Sequence, residues 1–237
     1  MKKLLLVMLS ISLLTSCSNG TKSKRVLSSS SGNINSLSVV ADNNLWASRI
    51  GDEIRDVFSA EVIGLPQQEP LFTMRQIPPM VFTDFATKNR TVLKIERDSF
   101  ADTKILKNVY ATPQTVVVIS GNSAKEIVDE IKKNAERIIS TFKSTEIKEQ
   151  QRRMGKSLFE DKSIEDALGL TINMPSAYRI AKQDENFFWL RRDIKNGDAN
   201  LMIYQTSLDA VSDGENAIND IIKMREPISL DQLKAPT

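Results

Sequence analysis

The chain predicts an α+β fold: antiparallel-rich sheets, each covered by amphipathic helices, in two blocks of strands that each close with a helix. Three observations carry this. Runs of β-branched residues at 91–96 and 115–120 precede a helix-period apolar stripe from Ile127 to Phe142. After Gly169 the pattern changes to short strands separated by turn residues at 175–176, 184–185 and 196–198. A second helical pattern, 215–224, follows those strands.

At the start of the chain, Lys2 and Lys3 precede an apolar run, 4–14, that is too short to span a bilayer. It reads as the core of a signal peptide, residues 1–16. Leu14, Thr15, Ser16 and Cys17 resemble the lipobox cut by lipoprotein signal peptidase: a branched residue, two small ones, then cysteine. Position, flanks and the single cysteine of the chain agree. The resemblance implies cleavage before Cys17, a diacylglyceryl thioether on its sulfur and a further acyl chain, such as palmitate, on its new amino group. Each buried methylene contributes about 0.8 kcal/mol, so two or more chains hold a protein on a membrane stably where one does not. No later stretch of the sequence is long and apolar enough to span a membrane. Residues 17–33 are rich in Ser, Lys and Gly and are expected to be a flexible tether.

Lys plus Arg number 32 against 30 Asp plus Glu. Removing Lys2 and Lys3 with the signal leaves 30 basic residues against 30 acidic ones, so charge gives no reason to expect nucleic acid as a partner. The chain has no histidine, and with Cys17 lipidated no thiol remains. Ser-His-Asp and Cys-His catalysis, histidine-ligated zinc and imidazole acid–base work are excluded. No loop with calcium-binding spacing is present. The sequence therefore assigns no catalytic residue, no metal ligand and no cofactor.

The first folded domain is expected over 34–145. It opens with a strand at 37–41, followed by helix-capping residues Asp42, Asn43 and Asn44. Trp46, Ile50, Ile54, Val57 and Phe58 then recur at helical spacing. Gly64, Pro66 and Pro70 break the chain before an extended run at 71–77, and Pro78-Pro79 opens a short helix at 80–85. Strands are expected at 91–96 and 115–120, the second holding three consecutive valines that suit a strand buried on both faces. Gly121 and Asn122 turn the chain, and Ser123 with Glu126 forms a capping box for the helix that follows.

Residues 146–168 read as a polar helical connector, solvated and carrying i,i+4 charge pairs, with a docking arm as the other reading. The second domain, 169–237, is expected to be a meander of strands at 170–174, 178–182, 186–192 and 200–206. The helix at 215–224 is the expected cover, through Ala217, Ile218, Ile221, Ile222 and Met224.

Several local patterns point to chemistry and are better explained without it. Ser140 and Lys143 match the S-x-x-K of penicillin-recognising enzymes, but the partner motifs are absent and Ser140 lies within a long helix. Ser120 to Ser123 join a strand to a helix N-terminus without the rest of a phosphate loop. Asp52, Glu53 and Asp56 read as a solvated helix face. Arg152-Arg153 and Arg191-Arg192 read as surface charge. Pro78-Pro79 and the loop 64–70 suit either a binding rim or a packing corner.

The stretches 31–40, 64–72, 88–90, 113–115 and 175–179, together with Arg75-Gln-Ile-Pro-Pro79, Lys148-Glu-Gln-Gln-Arg-Arg153 and Phe187-Phe-Trp-Leu-Arg191, resemble the lipoprotein family of Bacteroidota known as domain of unknown function 4837. The resemblance runs over the whole mature chain. It implies an envelope lipoprotein and supplies no activity, cofactor or catalytic residue. It also implies a further β-rich segment beyond Thr237, so the second domain is expected to be small or truncated.

The expected function is that of a membrane-anchored envelope module, non-enzymatic, that binds a partner protein or glycan. It is held on the membrane through the lipid on Cys17, at the outer membrane facing the periplasm. Ser18, Asn19 and Gly20 lack the acidic run associated with display at the cell surface, the alternative location. The alternative function is a histidine-free hydrolase of envelope glycans that works through paired carboxylates.

Overall fold

A computed structural model describes residues 26–65, 67–195 and 197–232. The first block holds β1 (Ser28–Ser29), β2 (Ser36–Val40), α1 (Asn43–Trp46), α2 (Arg49–Phe58), β3 (Thr73–Ile77), β4 (Thr91–Arg97), β5 (Asp102–Lys107), β6 (Ala111–Thr112), β7 (Thr115–Gly121) and α3 (Ala124–Met154). Five of these strands form one sheet in the order β3-β2-β4-β7-β5. The α+β class holds, with helices packed on mixed and antiparallel sheets. In this first sheet, however, the antiparallel richness does not: β2 runs parallel to both β3 and β4, and β4 parallel to β7. Parallel neighbours need long crossover connections, and α1 with α2 supplies one between β2 and β3. Only β5 pairs antiparallel, with β7.

Strand alternation explains the layers. Leu37 and Val39 of β2, Leu93 and Ile95 of β4, and Val117 and Ile119 of β7 point to one face. There they meet Ile50, Ile54 and Phe58 of α2 and Ile127, Ile131, Ile138 and Phe142 of α3. Side chains of this size contribute about 1.5–3 kcal/mol each when fully buried, which makes this interface the main source of stability. β7 is internal and buried on both faces, as its valines require. The helix expected through Trp46 to Phe58 is broken in two. Ser48 accepts a hydrogen bond from the Ile50 amide and caps α2, and at Gly51 a Cβ would lie 1.8 Å from the Trp46 carbonyl oxygen. Only glycine lets the two helices meet so closely.

β5 is a strand that the sequence reading missed. As an edge strand it carries Asp102, Lys104 and Lys107, and the face turned towards the helices holds Thr103, Ile105 and Lys107, whose Nζ donates to Thr145 of α3, so its apolar signal is short.

α3 begins with the expected cap: Ser123 Oγ accepts from the Glu126 amide, and the Glu126 carboxylate accepts from the Asn122 amide. It then runs without interruption through the expected domain edge at 145/146. The stretch read as a solvated connector is partly buried, because Glu146 and Glu149 continue the inward stripe of Ile138 and Phe142 at helical spacing. Glu146 meets Arg90, which sits immediately before β4. Arg90 Nε and Nη2 donate to the two carboxylate oxygens at 2.8 and 2.9 Å, and both side chains are 1% exposed. Arg90 Nη2 also donates to the Asn33 carbonyl at 2.9 Å, and the Asn35 amide donates to Glu146 Oε2 at 2.8 Å. Asn35 takes φ = 57°, a left-handed conformation that asparagine tolerates. Glu149 accepts from Arg152 and Arg153, whose hydrogen bonds and charge lower its pKa from 4.5 to about 2.

The second block holds α4 (Ser163–Leu168), β8 (Arg179–Asp184), β9 (Phe187–Ile194), β10 (Gly197–Tyr204) and α5 (Ala217–Gln232). The expected antiparallel meander forms, in the order β10-β9-β8. The strand expected at 170–174 does not; that segment is irregular, and its Met174 carbonyl accepts from the Phe159 amide. The cover of the sheet also differs from expectation. Phe188 and Leu190 are fully buried against Ile164 of α4 and Met174, with Leu168, Tyr178 and Ile180 around them, while among the described residues none of α5 joins this cluster. α5 instead reaches the first block: Arg225 donates to the Gly64 carbonyl. The polar sequence at 163–168 hid a helix with only Ile164 and Leu168 to bury.

Two outcomes follow for urea denaturation of the full chain. Arg90→Met leaves Glu146 buried without its partner and costs about 3–5 kcal/mol, and Arg90→Met with Glu146→Leu costs less than Arg90→Met alone. The stability contributed by the Glu149 carboxylate is fully present above pH 4.5 and is lost as pH falls towards 2. The stability gap between the parent and Glu149→Gln therefore closes over that window and is constant above it.

Candidate functional site

The face of the first sheet opposite the helices is only half covered. Val40, Val92 and Val116 form a small cluster there with Phe82, Val109, Tyr110 and Val118. The cover consists of the chain from Pro78 to Asn89, which includes two short 3-10 turns, Pro79–Val81 and Asp84–Lys88, together with the approach to β6. Phe82 and Tyr110 pack edge to face, centroids 5.5 Å apart. The Gln114 side chain ties the two parts: its Oε1 accepts from the Tyr110 amide at 2.8 Å, and its Nε2 donates to the Thr87 and Asn89 carbonyls at 2.6 and 2.7 Å.

Where this cover stops, a groove of about 560 Å³ opens along β4 towards the carboxyl ends of β2 and β4. Val40 contributes its apolar part, Pro79, Phe82 and Tyr110 its wall, and Asp42, Lys94, Glu96 and Arg97 its charged groups. Crevices at the carboxyl ends of parallel strands are where open sheets with crossover helices take ligands. The charges are partly fixed. Lys94 Nζ lies 2.7 Å from Glu96 Oε1, and Arg97 Nη1 donates to the Asn122 carbonyl at 2.8 Å. Such a surface can stack a flat or ring-shaped ligand on Tyr110 and Phe82 and orient it with donors and acceptors of both signs.

The residues singled out from sequence distribute as follows. Leu14, Thr15, Ser16 and Cys17 lie outside the described residues. Asp52 pairs with Arg55 at 2.6 Å and Glu53 with Lys132 of α3 at 3.2 Å, so the carboxylates of α2 do not converge. Lys143 Nζ donates to the Leu71 carbonyl at 2.8 Å and sits 4.7 Å from the Phe72 ring centre, with burial lowering its pKa; it is engaged away from Ser140. Arg152 and Arg153 hold Glu149, Arg191 pairs with Asp198 at 2.7 Å, and Arg192 lies over the Tyr178 ring. Pro79 lines the groove, which favours the rim reading for Pro78-Pro79. Gly64 accepts from Arg225, which favours the packing corner for that loop. Among the described residues, no three carboxylates gather as a metal site.

The groove residues Phe82, Lys94, Glu96, Arg97 and Tyr110 were not foreseen as a site. One signal existed: along one face of β4 the series Val92, Lys94, Glu96 changes from apolar to charged, which marks where the cover of the sheet ends.

Residues 30–155, more than half of the chain, match the family described as Domain of unknown function (DUF8532). The chain belongs to that family. Residues 157–235 match a second one, Domain of unknown function (DUF4837). The resemblance read from sequence over the whole mature chain is thus met in the second block, while the groove and the buried ion pair belong to the DUF8532 part. The border between the two matches falls just after Met154, where α3 ends. No curated protein matches the chain. No solved structure matches it either.

Tyr110→Phe is expected to keep the ring pair and leave stability within about 0.5 kcal/mol, as for most changes that preserve packing. Tyr110→Ala removes the pair, worth about 0.5–1.5 kcal/mol beyond its buried area. Its effect is local: hydrogen exchange at the Val81 and Phe82 amides, which donate to Pro78 and Pro79, speeds up in Tyr110→Ala and not in Tyr110→Phe.

Proposed function

We propose that this protein is an envelope lipoprotein of Bacteroidota, anchored through lipid on Cys17, that acts as a non-enzymatic binding module with the groove over β4 as its ligand site. The lipobox supports the anchor, and no helix among the described residues is long and apolar enough to cross a membrane. The outer membrane facing the periplasm is the favoured location, since no acidic run follows Cys17. The binding reading is carried by the composition of the groove, two aromatic rings beside fixed charges of both signs, which suits an envelope glycan or a segment of an envelope protein. The end of α3 is a poorer docking arm than its polar sequence suggests, because Glu146, Glu149, Arg152 and Arg153 are committed to partners within the chain.

A second reading, a carboxylate hydrolase of envelope glycans, draws on Asp42 and Glu96 lining the same groove. The ion pair of Glu96 with Lys94 holds that carboxylate in place for either role.

In-cell cross-linking with affinity recovery tests the proposal in the parent chain, in Cys17→Ala and in Lys94→Ala/Tyr110→Ala. The parent is expected to bring down one reproducible envelope protein or glycan. The groove variant recovers about tenfold less of it, equivalent to about 1.4 kcal/mol of binding, while staying on the membrane. The Cys17→Ala chain leaves the membrane. Equal recovery by the groove variant rejects the groove as the site. Glycan turnover by the purified chain that is abolished by Asp42→Asn or Glu96→Gln establishes the hydrolase instead.

A further inference from the structure

The cover beside the groove turns large apolar side chains outward. Met80 is 85% exposed, Val81 55% and Phe85 73%. Single exposed hydrophobics are ordinary, but three within residues 80–85 form a patch that calls for an occupant. The segment is held in shape from behind by Phe82 against Tyr110, by the Val81 and Phe82 amides donating to the Pro78 and Pro79 carbonyls, and by Thr87 Oγ1 donating to the Asp84 carbonyl.

What covers the patch follows from where the chain enters the fold. The Ser31 amide donates to the Lys88 carbonyl at 2.8 Å, and the Arg90 amide donates back to the Ser31 carbonyl at 3.1 Å. β1 pairs with β6, which directly follows Tyr110. The chain arriving from Cys17 therefore joins the fold beside the segment that carries the patch. From Cys17 to Ser28 a fully extended chain spans at most about 40 Å, so lipid on Cys17 holds the point where the chain enters the fold within that reach of the bilayer. The sequence between them also suits that surface: residues 18–41 include Lys22, Lys24 and Arg25 and no acidic residue, although the mature chain as a whole is neutral.

We propose that residues 80–85 form a membrane-seated lip, with Met80, Val81 and Phe85 entering the interfacial layer of the bilayer to which Cys17 holds the chain. This rests on the lipid-anchor reading above. It also sets the groove walled by Pro79 and Phe82 next to the lipid headgroups.

The test uses the full chain purified from membranes and placed in vesicles of phosphatidylethanolamine and phosphatidylglycerol, with acyl chains brominated or not. Phe85→Trp adds one indole to Trp46 and Trp189. Bromination is expected to quench roughly half or more of the added emission, as for a ring at the acyl boundary, and to leave the parent emission unchanged. An unquenched added indole on a chain whose Cys17 carries lipid by mass spectrometry overturns the lip, and is the result if a protein partner covers the patch. A chain without lipid on Cys17 overturns the anchor reading instead. The lip is then judged by co-sedimentation of that chain with the same vesicles. Binding that is lost in Met80→Ser/Val81→Ser/Phe85→Ser supports it, and any other pattern overturns it.

Discussion

The buried pair between Arg90 and Glu146 is the constraint around which the first block is arranged. Two charges taken out of water repay their desolvation only with good geometry and further hydrogen bonds, and this pair has both. The carboxylate takes the Nε–Nη2 edge of the guanidinium and a backbone amide, while the Nη groups also reach back to the carbonyls of Gly32 and Asn33. One interaction thus joins the start of β4, the distal half of α3 and the segment leading into β2. A second layer repeats the pattern, with Arg153 bonding both Glu149 and the Gly32 carbonyl.

That polar end of the sheet leaves the other end free. With α2 and α3 on one face and their far ends tied at the amino-terminal edge of the strands, the carboxyl ends of β2 and β4 need only the chain from Pro78 to Asn89 as cover. The cover is short, so the sheet stays partly open beside Tyr110 and the charges of β4 are reachable. The groove and the outward-facing Met80, Val81 and Phe85 are two sides of the same segment. A ligand in the groove and a surface against the lip would each act on its position.

Much of the scaffold was legible from the residues. The valines of β7, the β-type runs of β2 and β4, the capping box of α3 and the turns of the meander each report a local preference that tertiary packing did not override. The misses share one cause, which is that burial was read from apolar character. β5 and α4 bury only two or so side chains each, too few to show a period. Glu146 and Glu149 bury charge, which no hydropathy pattern reveals. The helix 215–224 exists, as α5, but its apolar residues do not join the core of the second sheet.

The sequence by itself determined the α+β class, the main strands and helices and the absence of histidine chemistry, and it carries a lipobox-like stretch at 14–17. Each is a matter of residue type and near-neighbour spacing, which the chain carries in one dimension. Only the tertiary structure decided that the first sheet is mostly parallel and that Arg90 finds Glu146 across 56 residues. It also decided that Phe82 and Tyr110 close on one another to wall a groove. Those outcomes depend on which distant segments come together, and pairing across a sheet or through a buried charge leaves no period in the residues themselves.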